Sequence, residues 1–166
     1  MTLRDPFGRK VTGLRIAVTS RCNMSCRYCH HEGEDLGEGS PEMSRDDIVK
    51  VIRAGADLGV KRIKFTGGEP LLRADLESIL DKLPDSLEVS LTTNGTLLAE
   101  RAKSLAEAGL DRVNVSLDSL DPEVYSQITG GTAEDHRRVL LGIDAAIEAG
   151  LVPVKVNMVV LKENEE

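Results

Sequence analysis

The chain has 166 residues, of which 40% are hydrophobic and 30% are charged, as expected for one globular domain. Its formal net charge of −7 argues against a nucleic-acid-binding surface, and no apolar run reaches the ~18 residues of a membrane span. The N-terminal residues lack the apolar core of a signal peptide. We therefore expect a cytoplasmic protein with no nucleic-acid and no membrane partner.

Strand and helix patterns alternate along the chain. The predicted strands cover residues 14–19, 61–66, 87–92, 112–117 and 152–160. Helices are expected at 44–58, about 76–83, 97–108 and 133–149, with a short helix opening at Asp121-Pro122-Glu123. Strands joined by helical crossovers predict an α/β fold with a parallel sheet. The pattern alone allows a doubly wound open sheet or a barrel-type sheet.

The two faces of the predicted strands differ in polarity. One parity is apolar and suits packing under helices: Ile16, Val18, Ile63, Phe65, Val89, Leu91, Val113, Val115, Val154, Val156 and Met158. The other parity carries Arg15, Lys64, Ser90, Thr92, Asn114, Ser116, Lys155 and Asn157. A polar face is costly unless it lines a wet or ligand-filled cavity. We therefore predict an open, curved barrel whose lumen holds cofactor and substrate, in preference to a half-exposed sheet.

The chain's only cysteines, Cys22, Cys26 and Cys29, lie within eight residues directly after the first predicted strand. Three thiolates can bind three irons of a 4Fe–4S cluster and leave the fourth iron open to a small molecule. Two alternatives remain at this point. One is a structural zinc site completed by His30 or His31, and the other is a disulfide with a spare thiol.

A second motif, Gly67-Gly68-Glu69-Pro70, follows the second predicted strand. Ligands bind at the carboxyl ends of strands in α/β sheets. The glycines would let the backbone approach a ligand closely, and Glu69 could orient an ammonium group.

Both motifs resemble those of radical S-adenosylmethionine (SAM) enzymes. Cys-x-x-x-Cys-x-x-Cys with Tyr28 before the last cysteine is similar to their cluster loop, and Gly-Gly-Glu-Pro is similar to the motif that holds the amino group of SAM. Residues 13–22, 63–73, 91–95, 112–118 and 154–157 together resemble the GTP 3′,8-cyclase family of molybdenum cofactor biosynthesis. Cys29-His30-His31 resembles its archaeal branch.

The resemblance implies a set of site residues, carried over position by position. The cluster ligands would be Cys22, Cys26 and Cys29. The SAM contacts would be Tyr28, Gly68 and Ser116. The GTP contacts would be Arg15, Lys64, Thr92 and Lys155, all in the polar parity of the strands. No catalytic side chain is assigned.

The resemblance also implies an activity and its partners. In this family a 4Fe–4S cluster reductively cleaves SAM, and the 5′-deoxyadenosyl radical abstracts hydrogen from the ribose 3′ carbon of GTP. The resulting carbon radical attacks C8 of guanine and gives 3′,8-cyclo-7,8-dihydro-GTP. An electron donor of the reduced ferredoxin or flavodoxin type is implied, and a homodimer is compatible with the family.

The family pattern continues beyond Glu166 with a sixth strand and a segment that holds a second cluster. We therefore expect residues 1–166 to be the N-terminal portion of a radical SAM core, a partial (β/α)6 TIM-like barrel without the second-cluster region. Such a chain should bind the first cluster and cleave SAM weakly without cyclising GTP. The alternatives are a radical SAM enzyme with another substrate, such as a peptide, and a Cys3His zinc-binding module that uses His30.

Overall fold

The computed structural model describes residues 3–29 and 42–165. Its five strands are β1 (Gly13–Ala17), β2 (Arg62–Thr66), β3 (Glu88–Thr93), β4 (Arg112–Ser116) and β5 (Lys155–Asn157). Its helices are α1 (Arg45–Asp57), α2 (Leu76–Leu80), α3 (Leu98–Glu107), α4 (Pro122–Thr129) and α5 (Ala133–Glu148), with a 3₁₀ turn at Pro70–Leu72. The predicted alternation of strands and helices is confirmed.

The order of the strands decides between the two sheet types that the sequence left open. All neighbouring strands are parallel, and they follow one another as β1-β2-β3-β4-β5. A doubly wound sheet reverses its strand order at a switch point, and this sheet does not. Right-handed crossovers in a sequential sheet place every helix on the same face. The fold is therefore the predicted partial barrel, with helices outside and the polar strand face inside.

The hydrophobic core lies between the sheet and the helices. The apolar parity of β1 to β4 is buried there, with exposed fractions of 6% at Ile16 and 0% at Phe65, Leu91, Val113 and Val115. From the helices, Ile48 and Ile52 of α1 and Leu98 and Leu105 of α3 are likewise 0% exposed. This packing fixes which face of each strand points inward, and so it orients the polar side chains.

Three of the helices, α1, α4 and α5, begin at side-chain caps. Ser44 Oγ accepts from Asp47 N at 3.2 Å before α1, and Asp121 Oδ1 accepts from Glu123 N at 2.7 Å before α4. Thr132 and Asp135 form a capping box at α5. Among the helices of residues 3–29 and 42–165, none has both the length and the apolarity needed to cross a bilayer.

The fifth strand is much shorter than predicted. The expected strand 152–160 is reduced to Lys155–Asn157, and its side chains are exposed. Val156 and Met158, expected beneath helices, are 53% and 52% exposed, whereas Val154 is partly buried against the core. The prediction failed because β5 pairs on one side, with β4, and no helix of the described chain follows it to cover its apolar face.

Candidate functional site

The cysteine loop, residues 18–29, leaves the sheet at the carboxyl end of β1. Polar contacts hold its start. Arg73, 6% exposed, donates through Nη1 to the Val18 carbonyl at 2.8 Å and pairs with Asp75 Oδ1 at 2.7 Å. Glu42 accepts from the Thr19 hydroxyl and, at 3.1 Å, from Nε of Arg21. These contacts fix the direction in which the chain enters the loop.

The glycine loop after β2 packs directly on the cysteine loop. Gly68 N donates to the Thr19 carbonyl at 2.9 Å, and Glu69 N donates to the Arg21 carbonyl at 2.7 Å. A Cβ atom at Gly67 would lie 2.4 Å from the Thr19 carbonyl oxygen, and one at Gly68 would lie 2.3 Å from that of Arg21. The glycines are therefore required first for contact between the two loops.

The side chain of Glu69 is buried and hydrogen-bonded within the protein. Its side chain is 0% exposed and accepts from Thr93 Oγ1 at 2.7 Å, Asn94 N at 2.7 Å and Leu71 N at 2.9 Å. Burial raises the pKa of this carboxyl above its ordinary value, although the three donors oppose that shift. These three contacts give Glu69 a structural role, and the suggestion that it also orients a ligand ammonium stays a prediction.

Four further hydrogen bonds hold the cysteine loop from the side of β3 and α4. Asn23 donates through Nδ2 to Thr96 Oγ1 at 3.0 Å and accepts from Asn94 Nδ2 at 2.7 Å. At the end of α4, the Thr129 carbonyl accepts from Ser25 N at 3.0 Å, and the preceding carbonyl accepts from Arg27 N at 2.9 Å. The cysteine loop is therefore held against the residues that follow β3 and against the end of α4.

Tyr28 is tied to the end of β4. Its hydroxyl donates to Oδ2 of Asp118 at 2.7 Å, and Asp118 Oδ1 accepts from Val159 N at 2.9 Å. Asp118 is 1% exposed. Burial, followed by the hydrogen bond to Asp118, raises the pKa of Tyr28 above its ordinary value, so the phenol stays neutral.

Asp118 was not among the residues assigned from the sequence, although it ends a stretch that carried the family resemblance. Buried aspartates normally occur with hydrogen-bond partners, and its position just after a strand was the available signal. The partner, 90 positions earlier in the chain, could not be read from local pattern.

The polar face of the sheet brings the predicted cations into register. Arg15 lies opposite Lys64, which lies opposite Ser90, and Lys155 lies opposite Asn114, which lies opposite Thr92. Ser116 is one inward position closer to the carboxyl end, level with Asn157. The predicted GTP contacts therefore occupy two adjacent rows of the sheet. The predicted SAM contact Ser116 lies one row nearer to the cysteine loop and the glycine loop.

The electrostatics of this face show mutual repulsion among the cations. Burial, followed by the positive charges of Arg15, Lys155 and Arg112, lowers the pKa of Lys64 below its ordinary value. Arg112 was not among the predicted contacts, but it lies opposite Ser90 in the row of Arg15 and Lys64. Closely spaced like charges on an inward face are costly unless an anion compensates them.

Comparison with known families agrees with this geometry. A family model described as "Radical SAM superfamily" matches residues 16–166, nearly all of the sheet and both loops. The chain belongs to the radical SAM superfamily. Its cofactors are a 4Fe–4S cluster and SAM, and the prediction of these two cofactors is confirmed at the level of the family.

Several relatives of this radical SAM protein share its sequence closely. A protein of Methanosarcina acetivorans named "Probable GTP 3',8-cyclase" is 59% identical over 96% of this chain and 49% of the relative. A protein of the same name from Archaeoglobus fulgidus is 55% identical over 96% of this chain and 52% of the relative. The resemblance stated from the motifs is confirmed, and the chain spans about half the length of the curated relatives it matches.

Solved structures agree with the fold. Streptococcus suis SuiB bound to S-adenosylmethionine superposes with a TM-score of 0.74 at 22% identity, over 91% of this chain and 34% of that protein. Methylornithine synthase (PylB) superposes with a TM-score of 0.67 at 16% identity, over 88% of this chain and 44% of that protein. At this identity the comparison supports the barrel-type sheet and nothing finer.

The donor set of this radical SAM protein fits an iron–sulfur cluster. All three cysteines are free, Cys22 and Cys29 are exposed, and Cys26 is partly buried. Burial raises the pKa values of the Cys22 and Cys26 thiols, and the other cysteines raise them further, so the three lie within electrostatic reach of one another. In residues 3–29 and 42–165, no three His, Cys, Asp or Glu side chains converge on a single metal ion. A cube needs no such convergence, because each thiolate binds a different iron.

The other readings of the cysteines are weaker. The disulfide is not formed, since all three thiols are free. The zinc alternative uses His30 or His31, and both lie outside the described residues.

Proposed function

We propose that this chain is the N-terminal portion of the radical SAM core of a GTP 3′,8-cyclase. The observation that carries the proposal is the position of the three-cysteine loop directly above an inward face that carries five cations, Arg15, Arg62, Lys64, Arg112 and Lys155. A polyanionic substrate would compensate these charges. Relatives up to 59% identical carry the name of an enzyme whose substrate is a nucleoside triphosphate.

Cys22, Cys26 and Cys29 would hold the cluster and leave one iron for SAM. When bound, the cluster and SAM supply the one-electron chemistry that removes a hydrogen atom from the substrate. The chain's part is to hold the loop rigid. Arg73 and Asp118 do so through side-chain hydrogen bonds to the Val18 carbonyl and the Tyr28 hydroxyl, and Glu69 does so through its backbone N–H, which donates to the Arg21 carbonyl.

Tyr28, Gly68 and Ser116 would contact SAM. Gly68 packs against the cysteine loop at the carboxyl edge of the sheet, and Ser116 is the last residue of β4 at the same edge. The Tyr28 hydroxyl is engaged with Asp118, so its contribution to SAM binding would come from its ring or backbone. In this proposal SAM would lie between the cluster loop and the lumen.

Arg15, Lys64, Thr92 and Lys155 would contact GTP. Strand residues are more rigid than loop residues, and a preorganised set of cations loses less entropy when it binds phosphate. The reacting ribose must lie toward the cysteine loop, where SAM binds. The phosphates would then extend along the lumen away from the cysteine loop, toward Arg15 and Lys64 in the middle of β1 and β2.

The partners and setting belong to the same proposal. A reduced protein of the ferredoxin or flavodoxin type would supply the electron. Thiols that hold iron need a reducing compartment, which favours the cytoplasm. A homodimer stays a prediction.

Anaerobic reconstitution tests the proposal. The reconstituted protein should contain about four irons and four sulfides and show a reduced 4Fe–4S signal in electron paramagnetic resonance. SAM should change that signal, and GTP should bind with micromolar to submicromolar affinity. Cys26→Ser is the control and should lose the cluster signal. A colourless protein with one bound zinc, or a cluster indifferent to SAM, would overturn the assignment.

A further inference from the structure

Arg112 lies at the start of β4 on the inward face of the sheet. It is opposite Ser90 of β3, which is opposite Lys64 of β2, which is opposite Arg15 of β1. Adjacent strands lie ~4.8 Å apart, so the Cα atoms of Arg112 and Lys64 are about 10 Å apart, within the combined reach of their side chains. Arg112 therefore completes one row of cations across the inner face.

Glu88 accompanies Arg112 on this face. The two side chains form an ion pair between Nη2 of Arg112 and Oε1 of Glu88, and they are 30% and 39% exposed. Glu88 is at the start of β3, opposite Arg62, whose Nη2 donates to Thr12 Oγ1 at 3.2 Å. A guanidinium has five N–H donors in a planar fork, so pairing with one carboxylate orients the group and leaves donors for a second anion.

The position of the row suggests which part of a substrate it meets. Ser116 is four residues after Arg112 on the same strand, and one strand residue advances ~3.3 Å, so the two differ in depth by about 13 Å. Chemistry at the cysteine loop places the ribose of a nucleotide near Ser116. The phosphate farthest from the ribose would then reach the row of Arg15, Lys64 and Arg112.

We propose that Arg112 is a specificity-determining residue that recognises the outermost phosphate of the triphosphate, with Glu88 orienting its guanidinium. This inference rests on the proposed function of the site. It predicts that Arg112 contributes to the binding of GTP and not to that of guanosine diphosphate. Lys155, which lies one inward row nearer the cysteine loop, would bind both nucleotides.

Calorimetric titration of the reconstituted protein with GTP, guanosine diphosphate and inorganic tripolyphosphate tests the inference. Arg112→Gln should weaken GTP binding ~10-fold or more and diphosphate binding less than ~3-fold, because a charge-assisted hydrogen bond is lost only with the longer ligand. Glu88→Gln keeps an acceptor for the guanidinium and removes a negative charge, so GTP should bind ~2-fold tighter or more. Arg137→Gln is the matched control, because Arg137 forms a comparable pair with Glu134 on the exposed side of α5.

Arg112→Lys serves if Arg112→Gln does not fold. It keeps the charge but not the fork, and it should weaken GTP binding several-fold with diphosphate binding unchanged. Equal losses for both nucleotides, or no loss for either, would overturn the role of Arg112 while leaving GTP as the substrate. Arg112-dependent binding of tripolyphosphate without any binding of GTP would retain the role and refute the proposed function.

Discussion

The hydroxyl of Tyr28 donates a hydrogen bond to Oδ2 of Asp118 at 2.7 Å, joining the cysteine loop to the end of β4 across 90 positions of sequence. Asp118 also accepts from Val159 N at 2.9 Å, and Asn164 Nδ2 donates to the Asp118 carbonyl at 2.6 Å. One buried carboxylate therefore fixes the cysteine loop and the chain after β5 to the same strand end. The loop that would hold the cluster depends on a residue far from it in sequence.

A double-mutant cycle of Tyr28→Phe and Asp118→Asn measures this link. Each single change should lower the free energy of unfolding by about 1–3 kcal/mol, since it leaves a buried partner unsatisfied. The double variant should lose less than the sum, with a coupling energy of about 1 kcal/mol. Urea denaturation gives all four values. Strict additivity would show that the hydrogen bond contributes nothing to stability.

Gly68→Ala should separate the glycine loop from the cysteine loop. The new Cβ would lie 2.3 Å from the Arg21 carbonyl oxygen, a contact that only backbone movement can relieve. We expect a loss of about 1–3 kcal/mol in unfolding free energy, together with lower iron content after reconstitution. Gly13→Ala is the control, because its Cβ would meet only the Arg62 carbonyl oxygen, at 3.9 Å. Wild-type stability of Gly68→Ala would show that the loops do not pack as described.

Glu69→Ala tests whether this carboxylate is structural. The change would leave Thr93 Oγ1, Asn94 N and Leu71 N without their acceptor in a buried site. Unfolding free energy should fall by about 3–5 kcal/mol, the loss expected when a buried charged network is broken. Glu107→Ala is the control, because Glu107 is exposed on α3, and it should change the free energy of unfolding by less than about 0.5 kcal/mol. A residue that only contacted a ligand would leave the stability of the free protein unchanged.

The sequence predicted the sheet and its polar face because both follow from periodicity. Arg15 and Lys64 alternate with core residues that force them inward, whereas the orientation of Lys155 follows from the pairing of β5 with β4. By contrast, the roles of Glu69 and Asp118 depend on partners in other βα units, and no local pattern encodes such pairings. The cluster loop was predicted from its cysteine spacing, whereas Arg73, which fixes the start of that loop, resembled any loop arginine.

The length of β5 could not be predicted for a related reason. Alternation at Val154, Val156 and Met158 is the pattern of a strand, but pairing requires a neighbour. Only Lys155–Asn157 aligns with β4, opposite residues 114–116. Strand length is thus set by tertiary pairing as well as by local preference.

Binding of a polyanion should be linked to protonation of Lys64. Burial and the neighbouring cations lower the pKa of Lys64 in the free protein, so the charged form is disfavoured there. Because the pKa in the folded state is below that in the unfolded state, this group destabilises the fold at neutral pH, and the penalty is relieved as pH rises through the lowered pKa. A bound triphosphate would reverse the shift and raise the pKa of Lys64.

Calorimetry of GTP binding over a series of pH values below 10.5, the ordinary pKa of lysine, in buffers of different ionisation enthalpy should therefore detect net proton uptake. Lys64→Met should abolish that uptake, weaken GTP binding ~10-fold or more and increase the stability of the free protein at neutral pH. Its stability advantage over the wild type should shrink as pH rises. Lys103→Met, at a residue 87% exposed on α3, is the control and should change none of these quantities. Equal proton uptake by the wild type and Lys64→Met would place the titrating group elsewhere and remove Lys64 from the phosphate site.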